Sequence, residues 1–164
     1  MKSIPTVPDN SSGLPETVWL DSSGSLCLLD QTQLPHRVVG LQLETVDDVY
    51  QAIRDMVVRG APAIGVAAAH GMLVDPTTLR IENDPAGCHT NLVRRAEHLN
   101  TARPTAVNLS WATDRMVKAS AGFCDAWQRG NPCTESTSSV TDRWWTALQS
   151  EAAAIHQTDR QMCR

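Results

Sequence analysis

Hydrophobic and polar positions follow a strand-like pattern near the start of the chain. The stretches 17–20 (TVWL) and 25–30 (SLCLLD) flank the turn DSSG at 21–24 and predict a β-hairpin. The stretch 37–44, RVVGLQLE, is rich in branched residues and predicts a third strand. We therefore expect a small antiparallel sheet in the first part of the chain.

From Thr45 onward the apolar spacing becomes helical. One face of the first helix carries Val46, Val49, Tyr50, Ile53 and Val57. Thr45 and Asp48 predict a capping box at its start. Gly60 predicts the end of this helix and Pro62 the start of the next, because glycine is favoured just past a helix and proline in its first turn.

The rest of the chain predicts further helices separated by polar loops. We expect a loop at 75–87, helices from about 88 to 100 and from Pro104 to near Gly130, a loop at 131–142, and a helix to the final residue. The predicted fold is α+β, mainly α, with a small N-terminal antiparallel sheet beside a helical bundle. The predicted organisation is a disordered lead-in at 1–16, a sheet and helical domain at 17–142, and a closing helix at 143–164.

Composition restricts the class of protein. Hydrophobic residues make up 41% of the 164 residues and charged residues 20%, as in ordered globular proteins. The net charge of -4 disfavours a nucleic-acid partner. No apolar stretch reaches the roughly 18 residues of a membrane span. Five cysteines without a C-x-x-C pair indicate a reducing, cytoplasmic compartment, and the polar start lacks the apolar core of a secretory signal.

The run VVRGAPAIGVAAAHG at 57–71 contains glycines at the spacing of a phosphate-binding loop. Val66 and Ala67, however, stand where that loop needs lysine and serine or threonine, and the dinucleotide fingerprint G-x-G-x-x-G is absent. The run therefore predicts a helix of small residues against which other elements pack closely. Its first turn, with free backbone N–H groups, is suited to an anion. A purely structural core helix is the alternative.

An arginine precedes two proline-started helices, and this repetition predicts a shared anion site. Arg59 lies before the helix at Pro62, and Arg103 lies directly before Pro104. Two guanidinium groups beside helix N-termini would offer paired donors to phosphate oxygens. In the alternative, each arginine pairs with a carboxylate such as Asp47 or Asp55.

Other candidate groups favour structural roles. Cys88, His89 and His98 lack the spacing of metal ligands, and no nucleophile has a positioned base. Four tryptophans on predicted helices are expected to pack in the core: Trp111, Trp127, Trp144 and Trp145. We expect no metal and no cofactor.

Three motifs give the chain a family resemblance. The segments LLDQTQLP (28–35), AIRDMVVRGAPAIGVAAAHG (52–71) and ARPTAVNLSWATDRM (102–116) resemble the N-terminal part of methylthioribose-1-phosphate isomerases. The closing EAAAIHQTDRQMCR (151–164) looks like that family's helix leading into a second domain. The regulatory subunits of initiation factor 2B and the ribose-1,5-bisphosphate isomerases share the fold, but RGAPAIG and RPTAVNL favour the methylthioribose enzymes.

The resemblance implies an aldose-to-ketose isomerisation of a sugar 1-phosphate in methionine salvage, without metal or nucleotide. It implies substrate binding by Arg59, Gly60, Ala61 and Arg103, and a homodimer for the complete protein. These implied residues agree with the anion site expected from the helix starts.

The chain departs from the family in its catalytic motifs. The family's catalytic cysteine (T-H-C-N-A-G) and aspartate (G-A-D-R) lie in a Rossmann-like second domain, and neither motif occurs here. Cys163 is followed only by Arg164 and is not carried over as the catalytic cysteine. We therefore expect the Rossmann-like domain to be absent and the chain to be an inactive, substrate-contacting N-terminal fragment. The alternatives are a non-enzymatic regulatory or assembly module related to initiation factor 2B, and a ribose-1,5-bisphosphate isomerase-like protein.

Overall fold

The computed structural model describes residues 1–4, 6–9, 13–80, 84–130 and 137–162. In this part of the chain, the strands are β1 (Lys2–Ile4), β2 (Val18–Leu20), β3 (Leu26–Leu29) and β4 (Gly40–Leu43). The helices are α1 (Val46–Arg54), α2 (Ala61–Gly71), α3 (Pro76–Leu79), α4 (Pro85–Asn100), α5 (Val107–Arg129) and α6 (Thr137–Met162). A small sheet followed by helices confirms the predicted α+β class with mainly helical structure.

The strands form one antiparallel sheet in the order β1-β4-β3-β2. The hairpin of β2 and β3 pairs Val18 with Leu28 and Leu20 with Leu26, as predicted from TVWL and SLCLLD. Strand β4 continues the sheet with Leu41 opposite Leu28, which confirms the strand expected within 37–44.

The start of the chain contributes an unexpected fourth strand. Lys2 lies opposite Gln42 and Ile4 opposite Gly40, and the amino group of Met1 lies 2.6 Å from a carboxylate oxygen of Asp48. The prediction of a disordered lead-in over 1–16 is therefore wrong for residues 2–4. Without β1, strand β4 would leave a row of backbone groups unpaired at the sheet edge. This pairing uses main-chain atoms, so side-chain composition gave no sign of it.

The capping box of α1 is formed as predicted. The Thr45 hydroxyl accepts a hydrogen bond from the Asp48 amide at 3.1 Å, and the Asp48 carboxylate accepts one from the Thr45 amide at 3.1 Å. These reciprocal bonds satisfy two N–H groups that the helix itself leaves without acceptors.

Helix α1 ends at Arg54, six residues before the predicted end at Gly60. Met56 has a φ of 57°, in the left-handed region, which interrupts the helical path. The Val57 amide then donates to the Ala52 carbonyl at 2.9 Å, so Val57 enters the core from a turn. Because a turn keeps Val57 on the buried side, its helical spacing was misleading.

Helix α2 occupies the centre of the helical layer and packs against α1, α5 and α6. Every residue from Ile64 to Gly71 is buried, which confirms the expectation of closely packed small residues. A Cβ at Gly71 would lie 2.5 Å from Val49 Cγ1, and one at Gly65 would lie 3.0 Å from the Asn108 carbonyl oxygen. Helices α1 and α5 thus pack closely on α2 at these two glycines, and a side chain at either position would require a neighbouring group to move.

A buried guanidinium holds the chain just after α2. Arg95 donates to the carbonyl oxygens of Met72 and Asp75 at 3.0 Å each, and to Thr78 Oγ1 at 2.7 Å. It therefore satisfies carbonyl groups that the end of a helix leaves without donors. Within the described ranges, no helix has both the length and the apolar character needed to cross a membrane.

Two helix starts differ from their predicted positions. Helix α4 begins at Pro85 rather than near residue 88, because Asp84 caps it by accepting from the Ala86 and Gly87 amides at 2.9 and 3.0 Å. Helix α5 begins at Val107 rather than Pro104, since a turn comes first, in which the Ala106 amide donates to the Arg103 carbonyl at 2.9 Å.

The predicted loops are shorter than expected. The short helix α3 lies within the predicted loop 75–87, and α6 begins at Thr137, inside the predicted loop 131–142. Helix α6 thus crosses the expected domain boundary between 142 and 143. Residues 131–136 and the last two residues lie outside the described ranges.

Candidate functional site

A cleft of about 320 Å³ lies where the first turns of α2 and α5 meet. Its lining residues are Gly60, Ala61, Ile64, Arg103, Thr105, Ala106, Val107 and Asn108. Three of the four predicted substrate-binding residues, Gly60, Ala61 and Arg103, therefore share one cleft. Their binding role stays a prediction.

The entrance to α2 has a backbone conformation that favours glycine. Gly60 precedes the helix with a φ of 89°, which residues with a Cβ rarely adopt, and Pro62 follows within the first turn. The Ile64 amide donates to the Gly60 carbonyl at 3.0 Å. The Ala61 and Ala63 amides belong to the first turn, where a helix supplies no acceptors.

Both helix starts at the cleft lack a side-chain cap. Neither Gly60 before α2 nor Ala106 before α5 makes a side-chain capping bond, whereas Thr45 caps α1 and Asp84 caps α4. The uncapped amides at the cleft are therefore available to an anion from outside the helix. The positive ends of two helix dipoles add to the attraction at this place.

Arg103 supplies the positive side chain of the cleft. It is half-buried, and among the described residues its guanidinium has no hydrogen-bond or ion-pair partner. A guanidinium carries five N–H donors in a planar arrangement that matches two phosphate oxygens. Its position beside two uncapped helix starts gives the cleft a chemistry suited to a phosphate group.

Arg59 lies next to the cleft but does not line it. Its backbone amide donates to the side-chain oxygen of Gln31 at 2.7 Å, and its Nε donates to the Met56 carbonyl at 3.2 Å. The exposed side chain is thus turned along the α1–α2 connection. The expected meeting of two guanidinium groups in one site is not present in this conformation.

The carboxylates considered as alternative partners for the arginines have other partners. Asp55 pairs with Arg54 Nε at 2.9 Å, and Asp47 lies 2.8 Å from His98 Nε2. The alternative in which Asp47 or Asp55 pairs with Arg59 or Arg103 is therefore wrong.

Sequence reasoning missed two polar residues of the cleft, Thr105 and Asn108. Both lie within the segment ARPTAVN, close to Arg103, and Asn108 belongs to the first turn of α5. The signal was their position after the arginine, but the prediction placed the helix start at Pro104 and so misassigned the first turn.

The remaining candidate histidines have structural contacts. His89 Nδ1 lies 2.8 Å from Ser120 Oγ, and the same hydroxyl oxygen accepts a hydrogen bond from Trp144 Nε1 at 2.9 Å. His98 stacks on Tyr50 with ring centroids 4.6 Å apart. These contacts support the interpretation of both histidines as structural.

The tryptophans differ in burial. Trp144 is fully buried, whereas Trp111 is 45% exposed. The guanidinium carbon of Arg115 lies over the Trp111 ring, 5.5 Å from its centroid. The expectation of core packing is therefore confirmed for Trp144 and wrong for Trp111.

A second groove, of about 570 Å³, lies between the β2–β3 turn, the end of α2 and α6. Its charged lining residues are the acidic Glu44 and Asp75, without lysine or arginine among the described lining residues. His70 also lines it, but burial followed by the influence of His156 lowers its pKa to about 4, so the ring is neutral at pH 7. This groove would repel a phosphate, and the cleft at Arg103 is the better candidate for one.

Comparison with known proteins identifies the family. The sequence pattern of the Initiation factor 2 subunit family matches residues 57–163, which include both helix starts of the cleft. The chain belongs to this family. The matched residues include both RGAPAIG and RPTAVNL, the motifs from which the family resemblance was inferred.

Individual relatives carry isomerase names. The chain is 40% identical to methylthioribose-1-phosphate isomerase of Rhodopirellula baltica over 139 residues, covering 85% of this chain and 35% of the relative. It is 36% identical to 5-deoxyribose 1-phosphate isomerase of Clostridium botulinum (strain Loch Maree) over 146 residues, covering 89% and 38%. The predicted resemblance to methylthioribose-1-phosphate isomerases is confirmed.

Solved structures of the family have the same fold. The initiation factor eIF-2B subunit delta from A. fulgidus matches with a TM-score of 0.67 at 26% identity, covering 87% of this chain and 36% of that one. The 5-methylthioribose 1-phosphate isomerase from Pyrococcus horikoshii matches with a TM-score of 0.62 at 28% identity, with the same two coverages. The chain thus spans a little over a third of the length of the relatives it matches.

Proposed function

We propose that this chain supplies the phosphate-binding part of an isomerase that acts on a 5-substituted ribose 1-phosphate, with methylthioribose 1-phosphate as the leading substrate. The observation that carries the proposal is the cleft in which the uncapped starts of α2 and α5 meet the guanidinium of Arg103, which has no partner among the residues that the structure describes. The names of the relatives, which include methylthioribose-1-phosphate and 5-deoxyribose 1-phosphate isomerases, support the substrate class.

The chemistry of the reaction explains why a phosphate site is needed. The phosphate blocks the anomeric oxygen, so the ring does not open spontaneously to an aldehyde. In the isomerisation the bond between C1 and the ring oxygen breaks and the ring oxygen gains a proton. A hydrogen moves from C2 to C1, and the C2 hydroxyl loses its proton and becomes a ketone. Proton transfers of this kind require a positioned acid or base. Holding the phosphate on C1 fixes the two carbons relative to those groups.

The cleft itself binds the phosphate group and does not take part in proton transfer. Arg103 is the one titratable side chain among its described lining residues, and a guanidinium stays charged at neutral pH. The acid and base of the reaction would have to come from outside this cleft. We therefore propose that the chain by itself binds the sugar phosphate without converting it.

A phosphate titration of the 164-residue chain tests the proposal. Amide chemical shifts of Ala61, Ala63 and Val107 are followed by ¹H–¹⁵N NMR while inorganic phosphate, and then methylthioribose 1-phosphate, is added. We expect saturable shifts at these first-turn amides. Arg103→Ala should weaken binding roughly tenfold to a hundredfold, because hydrogen bonds to charged groups contribute about 1.5–3 kcal/mol.

Arg94→Ala is the matched control, since Arg94 is an exposed arginine on α4 outside the cleft. It removes the same charge and should leave the affinity unchanged. Equal affinities of the wild type and Arg103→Ala, or equal losses in both variants, would show that the cleft is not the phosphate site.

A second candidate function is a non-enzymatic assembly module. It is favoured by the structural similarity to eIF-2B subunit delta, whose TM-score of 0.67 exceeds the 0.62 of the isomerase. This candidate needs no sugar-phosphate affinity. Absence of saturable binding to methylthioribose 1-phosphate would therefore favour it over the isomerase.

Two further parts of the proposal concern the cellular compartment and the partners of the protein. Cys27, Cys88 and Cys124 are buried free thiols, in keeping with the proposed reducing cytoplasmic compartment. We further propose that the complete protein is a homodimer with neither a nucleic-acid nor a membrane partner, as the family resemblance and the net charge of -4 suggest.

A further inference from the structure

We infer that Gly65 is a positioning residue that sets the separation of the two helix starts and thereby the phosphate affinity of the cleft. The inference rests on the proposed phosphate-binding function and adds to it a residue that does not itself line the cleft. It comes from the packing of α2 against α5.

The contact lies directly beneath the cleft. Gly65 follows the cleft residue Ala61 by four positions, so both lie on the same face of α2. A Cβ at Gly65 would lie 3.0 Å from the carbonyl oxygen of Asn108 and 3.6 Å from Cβ of Ala112. Asn108 belongs to the first turn of α5 and also lines the cleft. The two helices therefore pack closely at Gly65, next to the first turn of α5.

The atom that a methyl group would meet cannot rotate away. It is a backbone oxygen in a helical turn, so an alanine at Gly65 would move the first turn of α5 by a few tenths of an ångström. The same turn carries the amides of Val107 and Asn108. A phosphate bound to amides of both helices would then lose the distance or the angle of some of its hydrogen bonds.

The backbone of Gly65 has no need of glycine. Its φ is not in the left-handed region, and alanine is a better helix former than glycine. The requirement for glycine at this position is therefore one of space between helices. An alanine should weaken binding even though it favours the helix.

The experiment compares three glycine-to-alanine variants of the 164-residue chain. Gly65→Ala moves the start of α5. In Gly122→Ala the new Cβ meets nothing within 4 Å, so the variant gains helix propensity without a contact. In Gly71→Ala the new Cβ would meet Val49 Cγ1 at 2.5 Å, which disturbs α2 at the end away from the cleft.

The affinity for inorganic phosphate is measured for each folded variant by ¹H–¹⁵N NMR at low temperature, and the unfolding midpoint by circular dichroism. We expect Gly65→Ala to bind phosphate about tenfold more weakly, the loss that follows from one weakened charge-assisted hydrogen bond. Gly122→Ala should raise the midpoint and leave the affinity unchanged. Gly71→Ala should lower the midpoint and also leave the affinity unchanged.

The outcomes separate this inference from the proposed function. If the wild type shows no saturable phosphate binding at the first-turn amides, the proposed function fails and the inference falls with it. If the wild type binds and Gly65→Ala binds equally well, the positioning role is refuted while the proposed function stands. A loss of affinity in Gly71→Ala as large as that in Gly65→Ala would also refute it, because general loosening of α2 would then explain both.

Discussion

Acidification from pH 7 to pH 4 should destabilise the fold through His70, which lies near the end of α2. The side chain is 8% exposed, and its ring centroid lies 5.6 Å from that of His156 in an edge-to-face arrangement. Its Nε2 has no hydrogen-bond partner among the described residues. Burial, followed by the charge of His156, lowers the His70 pKa from 6.5 to about 4. Although a helix C-terminus favours a protonated histidine, desolvation is the larger effect here.

The magnitude follows from the difference between the two pKa values. In the unfolded chain His70 titrates near 6.5, and in the fold near 4, which is a difference of 2.5 pKa units (6.5 − 4). At about 1.4 kcal/mol per unit, the contribution to the free energy of unfolding is about 3 kcal/mol. The unfolded state binds more protons between pH 6.5 and pH 4. This stability is therefore present above pH 6.5 and is lost as the pH falls to 4.

Urea unfolding at several pH values between 7.5 and 4, followed by tryptophan fluorescence, measures this slope. His70→Phe keeps a ring of similar size but removes the titrating group. Between pH 7.5 and pH 4, the free energy of unfolding of this variant should therefore fall by about 3 kcal/mol less than that of the wild type. His36→Phe is the matched control, because it makes the same replacement at an exposed histidine. This variant should retain the wild-type slope. Identical slopes for the wild type and His70→Phe would refute the reasoning. The carboxylates with lowered pKa values, such as Asp48 and Asp75, act mainly below this window.

Two further predictions concern the core. Trp144→Phe removes the indole donor to Ser120 Oγ and should lower the free energy of unfolding by roughly 1–3 kcal/mol, measured by urea unfolding; no change would mean that the buried hydroxyl finds another donor. Burial, followed by the charge of Asp21, raises the Cys27 pKa from 9.0 to about 11, so its thiolate is about a hundredfold scarcer than in the unfolded chain at pH 8. Iodoacetamide should label the Cys27 peptide at least about a hundredfold more slowly in the native protein than in urea, by mass spectrometry, and equal rates would contradict the burial.

Local signals in the sequence were sufficient for the elements whose ends depend on neighbouring residues. Thr45 and Asp48 predicted the capping box correctly because both partners lie within one helical turn. Gly60 and Pro62 likewise predicted the start of α2, since a positive φ and a proline in the first turn are local requirements. Such features need no knowledge of the tertiary structure.

Elements that depend on distant partners could not be predicted from the sequence. Strand β1 exists because the edge of β4 offers backbone groups to a segment about 40 residues away, and the polar, proline-containing lead-in gave no pattern for it. The early end of α1 at Arg54 depends on the left-handed Met56, a conformation that no glycine or asparagine marked in advance. In both cases tertiary contacts decided the local structure.

The cleft depends on both local features and tertiary contacts, and for this reason the sequence predicted it only in part. Each arginine beside a helix start is a local feature, so Arg59 and Arg103 were equivalent in the sequence. They differ in the fold because the side chain of Gln31, 28 residues away, accepts a hydrogen bond from the Arg59 amide, and the Arg59 side chain donates to the Met56 carbonyl. Arg103 instead lines the cleft and has no partner within the described part of the chain. The two helix starts meet because glycine at position 65 lets α5 approach α2, a relation between helices that spacing along one helix does not reveal. Binding chemistry is thus local to each helix start, but the geometry that combines the two starts is tertiary.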